Sequence, residues 1–239
     1  MHESAERKAA AERILEVQDW GRVPYEEALS RQRSLAEARA NDLVQDVLVF
    51  VEHPPCVTLG RSATAEDLLV AEDELARWNV SVVWVERGGK ATYHGPGQLV
   101  AYPIIRLEKP DLHAFLEGLL GAAEQVLRAY GLDPERKAGQ PGLWVRGAKI
   151  ASVGVAVRKW VTFHGIALNV NTDPAGFGLI VTCGQPGERV TSMHLELGRP
   201  VSLEDGKRKF AQAFCRNFGY GSILWPAGVE CDAGHGAGL

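Results

Sequence analysis

Between Val47 and Val170 the apolar, β-branched runs come in closely spaced pairs, and this pairing constrains the fold more than any other feature of the chain. Residues 47–51 form an unbroken apolar run that reads as a buried strand. His53-Pro54-Pro55 ends it, because proline disfavours both helix and ladder, and a second strand follows at once over 56–59. Residues 143–145, 150–157 and 161–170 repeat the pattern, with Arg158-Lys159 expected to turn the last two into a hairpin. Strands that follow one another this directly do not alternate with helices as a doubly wound parallel sheet requires. The expected fold class is α/β (α+β), with mixed, largely antiparallel sheets flanked by helices.

Further strands are expected over 13–17, 80–85 and 98–105, with Pro103 marking an edge or an irregularity in the last. A helix is expected over 25–39, where Tyr25, Ala28, Leu29, Leu35 and Ala36 share one face, and a short one over 72–78. Asp111 can cap a longer helix with Leu112, Phe115, Leu116, Leu119, Ala123, Val126 and Leu127 inward and Gly131 as its terminator. Ser202 with Asp205 opens another, through Phe210, Phe214 and Phe218. No internal repeat or long linker divides the chain. Residues 1–225 are therefore expected to form one domain, and 226–239, rich in glycine and alanine, a frayed tail.

Composition narrows the function classes. The 239 residues are 46% hydrophobic and 23% charged, enough for a core without staples. A net charge of -4 supplies no basic field, which argues against nucleic acid as a partner. No apolar run approaches the roughly 20 residues that span a bilayer, and the charged N-terminus lacks a secretory apolar stretch. A cytoplasmic protein with no membrane partner is expected. The four cysteines, Cys56, Cys183, Cys215 and Cys231, form no Cys-x-x-Cys pair, so a zinc ribbon or thioredoxin-like site is not expected.

Four segments look like chemistry. Arg87-Gly88-Gly89-Lys90-Ala91-Thr92-Tyr93-His94-Gly95-Pro96-Gly97-Gln98 sets glycines, which admit close backbone approach, among polar side chains. It reads either as a ligand cradle or as two turns joining strands, and it matches neither a Walker loop nor a dinucleotide fingerprint. Lys149 stands where a turn feeds an apolar strand. A desolvated lysine there is a candidate base, and an exposed hairpin lysine is the plainer alternative. Residues 162–171 carry Phe163-His164-Gly165, and 180–184 carry Thr182-Cys183-Gly184, where Cys183 is a plausible nucleophile. His94, His164 and His194 are open to roles as base, structural group or metal ligand, but no two share the i, i+4 spacing of a helical metal pair.

Together RGGKATYHGPGQLVAYP (87–103), GAKIASVGV (147–155), FHGIALNV (163–170) and TCG (182–184) resemble the lipoyl(octanoyl) transferase family of lipoate biosynthesis. The likeness runs from about Leu15 to Tyr220. It implies the fold of the biotin and lipoate protein ligases. It implies transfer of an octanoyl group from octanoyl acyl carrier protein to a lysine of a lipoyl domain. The acceptors would be the E2 subunits of 2-oxo acid dehydrogenases and the glycine cleavage H protein. By the same resemblance Cys183 is the nucleophile that carries the acyl thioester, and Lys149 is its activating partner. Arg87, Gly88, Gly89, Lys90, Ala91, Thr92, Tyr93, His94, Ser152, Val153, Gly154, Gly165, Ile166 and Ala167 match the substrate-binding stretches. Thr182 departs from the family, which usually has proline before the cysteine.

The chemistry agrees with that reading. Thioester exchange is close to thermoneutral and thioester-to-amide transfer is downhill, so neither ATP nor a metal or other cofactor is expected. A covalent relay suits two bulky protein substrates that take turns. An ATP-dependent ligase on the same fold would need an adenylate loop and would have no use for Cys183. A monomer is expected. Arg136, Lys137, Arg146, Arg158 and Lys159 are a candidate patch for an acidic carrier, or simply a solvated hairpin face.

Overall fold

The structure, a computed structural model, describes residues 13–182 and 187–226. Cys183 and the tail from 227 onward lie outside the described residues. Eight strands make the main sheet: β1 (Ile14–Arg22), β2 (Val47–Glu52), β6 (Gln98–Ile104), β7 (Glu135–Lys137), β8 (Gln140–Val145), β9 (Ala148–Arg158), β10 (Val161–Asn169) and β11 (Ser222–Leu224). Their order is β11-β1-β2-β6-β10-β9-β8-β7. Only β11–β1 and β1–β2 pair in parallel; the remaining neighbours are antiparallel. A second sheet of three strands has the order β4-β3-β5, from β3 (Cys56–Leu59), β4 (Ser81–Trp84) and β5 (Ala91–His94). The mixed, largely antiparallel class expected from the paired apolar runs is what forms.

Side-chain alternation along the central strands builds two layers. Leu48, Phe50, Leu99, Ala101, Ile166 and Leu168 face α3 (Leu112–Ala129) and α5 (Leu203–Phe218) in the larger core. Val47, Val49, Val51, Val100, Tyr102 and Ile104 face the other way, toward α1 (Tyr25–Ala40). Two short helices, α2 (Glu72–Arg77) and α4 (Met193–Leu197), also form. Asp111 and Ser202 cap α3 and α5 as expected, accepting from the N–H groups of Ala114 and Asp205. Leu112, expected inward, is instead exposed at the start of α3.

Two local expectations need correction. The β9–β10 turn is Lys159-Trp160, one residue later than expected, and both residues take positive φ, 50° and 59°. That pair of values matches the tight hairpin turn whose twist suits the flanking strands. Pro103 marks no edge, because β6 is central. It marks an irregularity. Proline has no N–H to give the ladder. At the facing position in β10, His164 takes φ 57°, and its N–H donates to Oε1 of the fully buried Gln32 at 2.8 Å. The Pro103 carbonyl accepts from Thr162 Oγ1 at 2.7 Å instead. A Cβ on Gly165 would lie 2.0 Å from the Ala101 carbonyl oxygen and 2.9 Å from the Pro103 ring. Only glycine lets β10 pass the proline this closely.

Candidate active site

The sheet distortion at His164 and Gly165 opens one wall of a cavity, and the β4–β5 loop closes another. β8 pairs with β9 only as far as Gly142 opposite Ser152. Past that point the loop takes over the strand edge: the N–H of Gly88 donates to the Val155 carbonyl at 3.0 Å. Any side chain at Gly154 would meet the Gly88 carbonyl oxygen at 3.0 Å, so the close approach depends on glycine. Arg87, buried, ties the loop to the smaller sheet. Its Nη2 donates to the carbonyl and hydroxyl oxygens of Thr58 at 2.7 and 2.8 Å, and its Nη1 to the Gly88 carbonyl at 3.0 Å.

The cavity between them has a volume of about 200 Å³. Arg87, Gly88, Gly89, Lys90, Ala91, Thr92 and His94 line it, as do Ser152, Val153 and Gly154, and Gly165, Ile166 and Ala167. The β4–β5 loop and the two facing strands of the β9–β10 hairpin thus meet at one place. Tyr93 does not join them. Strand alternation turns it to the opposite face of β5, where its ring packs edge-on against Phe177 with centroids 5.4 Å apart.

The floor of the cavity is aromatic and uncharged. Tyr25 stacks on His94 at a centroid distance of 5.4 Å, and its hydroxyl lies 3.1 Å from His164 Nδ1. His94 Nδ1 is 2.7 Å from Gln98 Oε1. His53 behind it bonds the Val23 carbonyl and the Tyr102 hydroxyl, both at 2.7 Å. Burial pushes His53 and His164 down to about 4 and His94 well below the usual imidazole range. All three are neutral at physiological pH. Thr92 Oγ1 and His164 Nε2 are buried on the wall without a hydrogen-bond partner. Such atoms can serve a polar group entering the cavity.

Lys149 is no exposed hairpin lysine; its side chain is 2% exposed. It is the second residue of β9, and residues 189–191 run beside it. Its N–H donates to the Arg189 carbonyl at 2.7 Å, and its carbonyl accepts from the Thr191 N–H at 2.9 Å. Nζ donates to the Pro141 carbonyl at 3.4 Å, lies 3.8 Å from Glu188 Oε2 and sits over the Trp144 ring at 4.7 Å. Pro141 also lines the cavity, so the ammonium stands behind its wall. Gly142 makes room: a Cβ there would be 2.8 Å from Lys149 Cε. Cys183 lies outside the described residues. Of the other thiols, Cys56 and Cys215 are buried, and burial raises both, Cys215 to about 11, so neither is a ready thiolate.

The lipoyl protein ligase A/B catalytic domain model matches residues 24–215. Octanoyltransferases from Thermosynechococcus vestitus and Rubrobacter xylanophilus are 45% identical over 202 residues and 43% identical over 196. These matches cover 83% and 81% of this chain and 88% and 89% of those proteins. The chain belongs to the octanoyltransferases of this family. It is an acyltransferase. The bi-partite lipoate protein ligase of an archaeal lipoylation system from Thermoplasma acidophilum shares the fold, with a TM-score of 0.66 at 20% identity, over 92% of this chain and 87% of that one. The expected likeness to the biotin and lipoate protein ligase fold therefore holds.

For this family member, sequence reasoning missed Tyr25, Tyr102, Val100 and Pro141 on the cavity wall and Glu188 beside Lys149. Tyr25 was legible only as an apolar helix position; its hydroxyl carried no signal of a partner 139 residues away. His194 sits in α4 and does not line the cavity. Among the described residues no three His, Cys, Asp or Glu side chains gather as metal ligands would. The candidate basic residues do not form one patch. Arg146 and Lys159 stand at opposite ends of the 11-residue β9, about 30 Å apart at strand rise. Most of its members are already engaged: Arg136 with Glu117 and Glu124, Arg146 with Glu196, Lys159 with Glu37, and Lys137 over the Trp144 ring.

Proposed function

We propose that this protein transfers an octanoyl group from octanoyl acyl carrier protein to the ε-amino group of a lysine on lipoyl domains, through a thioester on Cys183. The observation that carries the reading is the convergence of residues 87–92, 152–154 and 165–167 on one apolar-walled cavity, with the buried Lys149 behind its Pro141 edge. The octanoyl tail lies in that cavity, where each buried methylene contributes about 0.8 kcal/mol. Lys149 holds the proton of the Cys183 thiol while the thiolate attacks, and gives it to the departing carrier thiolate. Thr92 Oγ1, His164 Nε2 and loop N–H groups are the donors available to the thioester carbonyl. Residues 1–225 act as one catalytic unit, a cytoplasmic monomer that needs neither ATP nor metal and performs the first step of protein lipoylation.

The test is intact-mass analysis after incubation with octanoyl acyl carrier protein alone. One octanoyl adduct is expected on the wild type and none on Cys183→Ala. An absolute need for ATP, or normal transfer by Cys183→Ala, overturns the covalent scheme.

A further inference from the structure

A buried chain of hydrogen bonds crosses from the smaller sheet to the main one and joins the β4–β5 loop to the strand of Lys149. Arg87 Nη2 donates to Thr58 Oγ1 at 2.8 Å, and that oxygen lies 3.4 Å from His94 Nε2. His94 Nδ1 is 2.7 Å from Gln98 Oε1. Gln98 Nε2 donates to the Tyr93 carbonyl at 3.2 Å and to Asn169 Oδ1 at 2.9 Å. Asn169 Nδ2 donates to the Thr191 carbonyl at 3.0 Å, and the Thr191 N–H donates in turn to the Lys149 carbonyl at 2.9 Å. Arg87, Thr58, His94, Gln98, Asn169 and Thr191 are all buried.

The ends of the chain fix the direction of every bond in it. A guanidinium can only donate, so Thr58 Oγ1 accepts from Arg87 and keeps its own proton for His94 Nε2. The Tyr93 and Thr191 carbonyls can only accept, so each side-chain amide turns its nitrogen toward them and its oxygen back up the chain. Gln98 Oε1 therefore faces His94, and the neutral imidazole carries its proton on Nδ1. Both ring nitrogens are then occupied, so His94 offers the cavity its ring and no free base. Gln98 and Asn169 also face each other in the β6–β10 register, which fixes them by backbone as well as by side chain. A buried network whose members are all paired rigidifies its surroundings.

We infer that Gln98 and Asn169 are positioning residues for octanoyl transfer: through His94 and Thr58 they hold the acyl cavity in register with the backbone that flanks Lys149. Neither side chain lines the cavity itself. The inference rests on the proposed role of Lys149. The two ends of the chain serve different steps, since the Arg87 end seats the acyl chain and the Thr191 end sets the strand of Lys149.

The first test reads the imidazole directly. Nitrogen NMR of the histidine-labelled wild type should show His94 as the Nδ1–H tautomer, and an Nε2–H tautomer overturns the inference. This measurement needs neither an acyl donor nor a variant that folds. Two variants then cut the chain at opposite ends. Asn169→Leu removes the bond to Thr191 and should lower kcat for octanoyl transfer at least about tenfold, with KM for octanoyl acyl carrier protein within about twofold of wild type. Thr58→Val removes the hydroxyl beneath Arg87 and should raise that KM about tenfold, with kcat within about twofold. Thr58→Ser, which keeps the hydroxyl, should recover the wild-type KM. If kcat and KM move together in both variants, or neither moves, the inference is overturned. Undiminished transfer by Lys149→Ala would instead sink the reading of Lys149, on which the tautomer does not depend.

Discussion

Lys149 Nζ and Glu188 Oε2 stand 3.8 Å apart, with side chains only 2% and 4% exposed. A buried pair of this kind is weak evidence for net stability, since desolvation offsets the attraction, but breaking it leaves one charge uncompensated. Lys149→Met should therefore destabilise the fold by about 3–5 kcal/mol in urea unfolding. Lys149→Met/Glu188→Gln should recover most of that loss. Additive losses in the double variant would show that the two groups are not coupled.

The Gln32–His164 contact predicts a different kind of defect. Gln32 Oε1 satisfies the His164 N–H beyond the point where the β6–β10 register ends, at Ile166 opposite Ala101. Gln32→Leu keeps the bulk but orphans that buried N–H, at a cost of about 1–3 kcal/mol. Faster hydrogen exchange at His164, together with a lower urea midpoint, is the expected result. If stability stays at the wild-type value, another group reaches that N–H.

Period and punctuation made the framework legible before any contact was known. The unbroken apolar run of β2, the caps at Asp111 and Ser202 and the break at His53-Pro54-Pro55 are local signals, each set by residues within a turn or two. The cavity-lining stretches came from the family resemblance, since on its own 87–98 read equally as two turns; their glycines let the backbones approach, as at Gly154 under the Gly88 carbonyl and Gly165 beside Ala101. Tyr25, Tyr102 and Glu188 were not legible. Their partners His164, His53 and Lys149 lie 139, 49 and 39 positions away in the chain, and pairings at such separations leave no local pattern. Tyr93 was misplaced because a motif names consecutive residues, whereas a strand sends alternate ones to opposite faces.

The neutral histidines set an acid limit. His53 and His164 are held at about 4 by burial, below the ordinary value of 6.5. The folded state therefore binds fewer protons than the unfolded chain between those values. The stability they contribute is present above pH 6.5 and is lost as pH falls toward 4, at up to about 1.4 kcal/mol per pH unit for each histidine. Urea midpoints should decline across this window, before ordinary carboxylates titrate. His53→Gln should flatten the decline. A flat profile from pH 6.5 to 5 in the wild type would mean that these imidazoles charge freely in the fold.

Ala167 bears on chain-length choice. It lines the cavity assigned to the octanoyl tail and is buried on the same face as Val100 and Tyr102. Ala167→Leu adds three carbons to that wall and should displace a comparable length of ligand. At about 0.8 kcal/mol per methylene, the preference for octanoyl over butanoyl carrier protein should drop by on the order of tenfold or more in kcat/KM. Both substrates in competition against one enzyme preparation give the ratio directly, so a general loss of activity cancels. A preference that stays at the wild-type ratio would remove the tail from this cavity, while leaving the Lys149–Glu188 pair where it is.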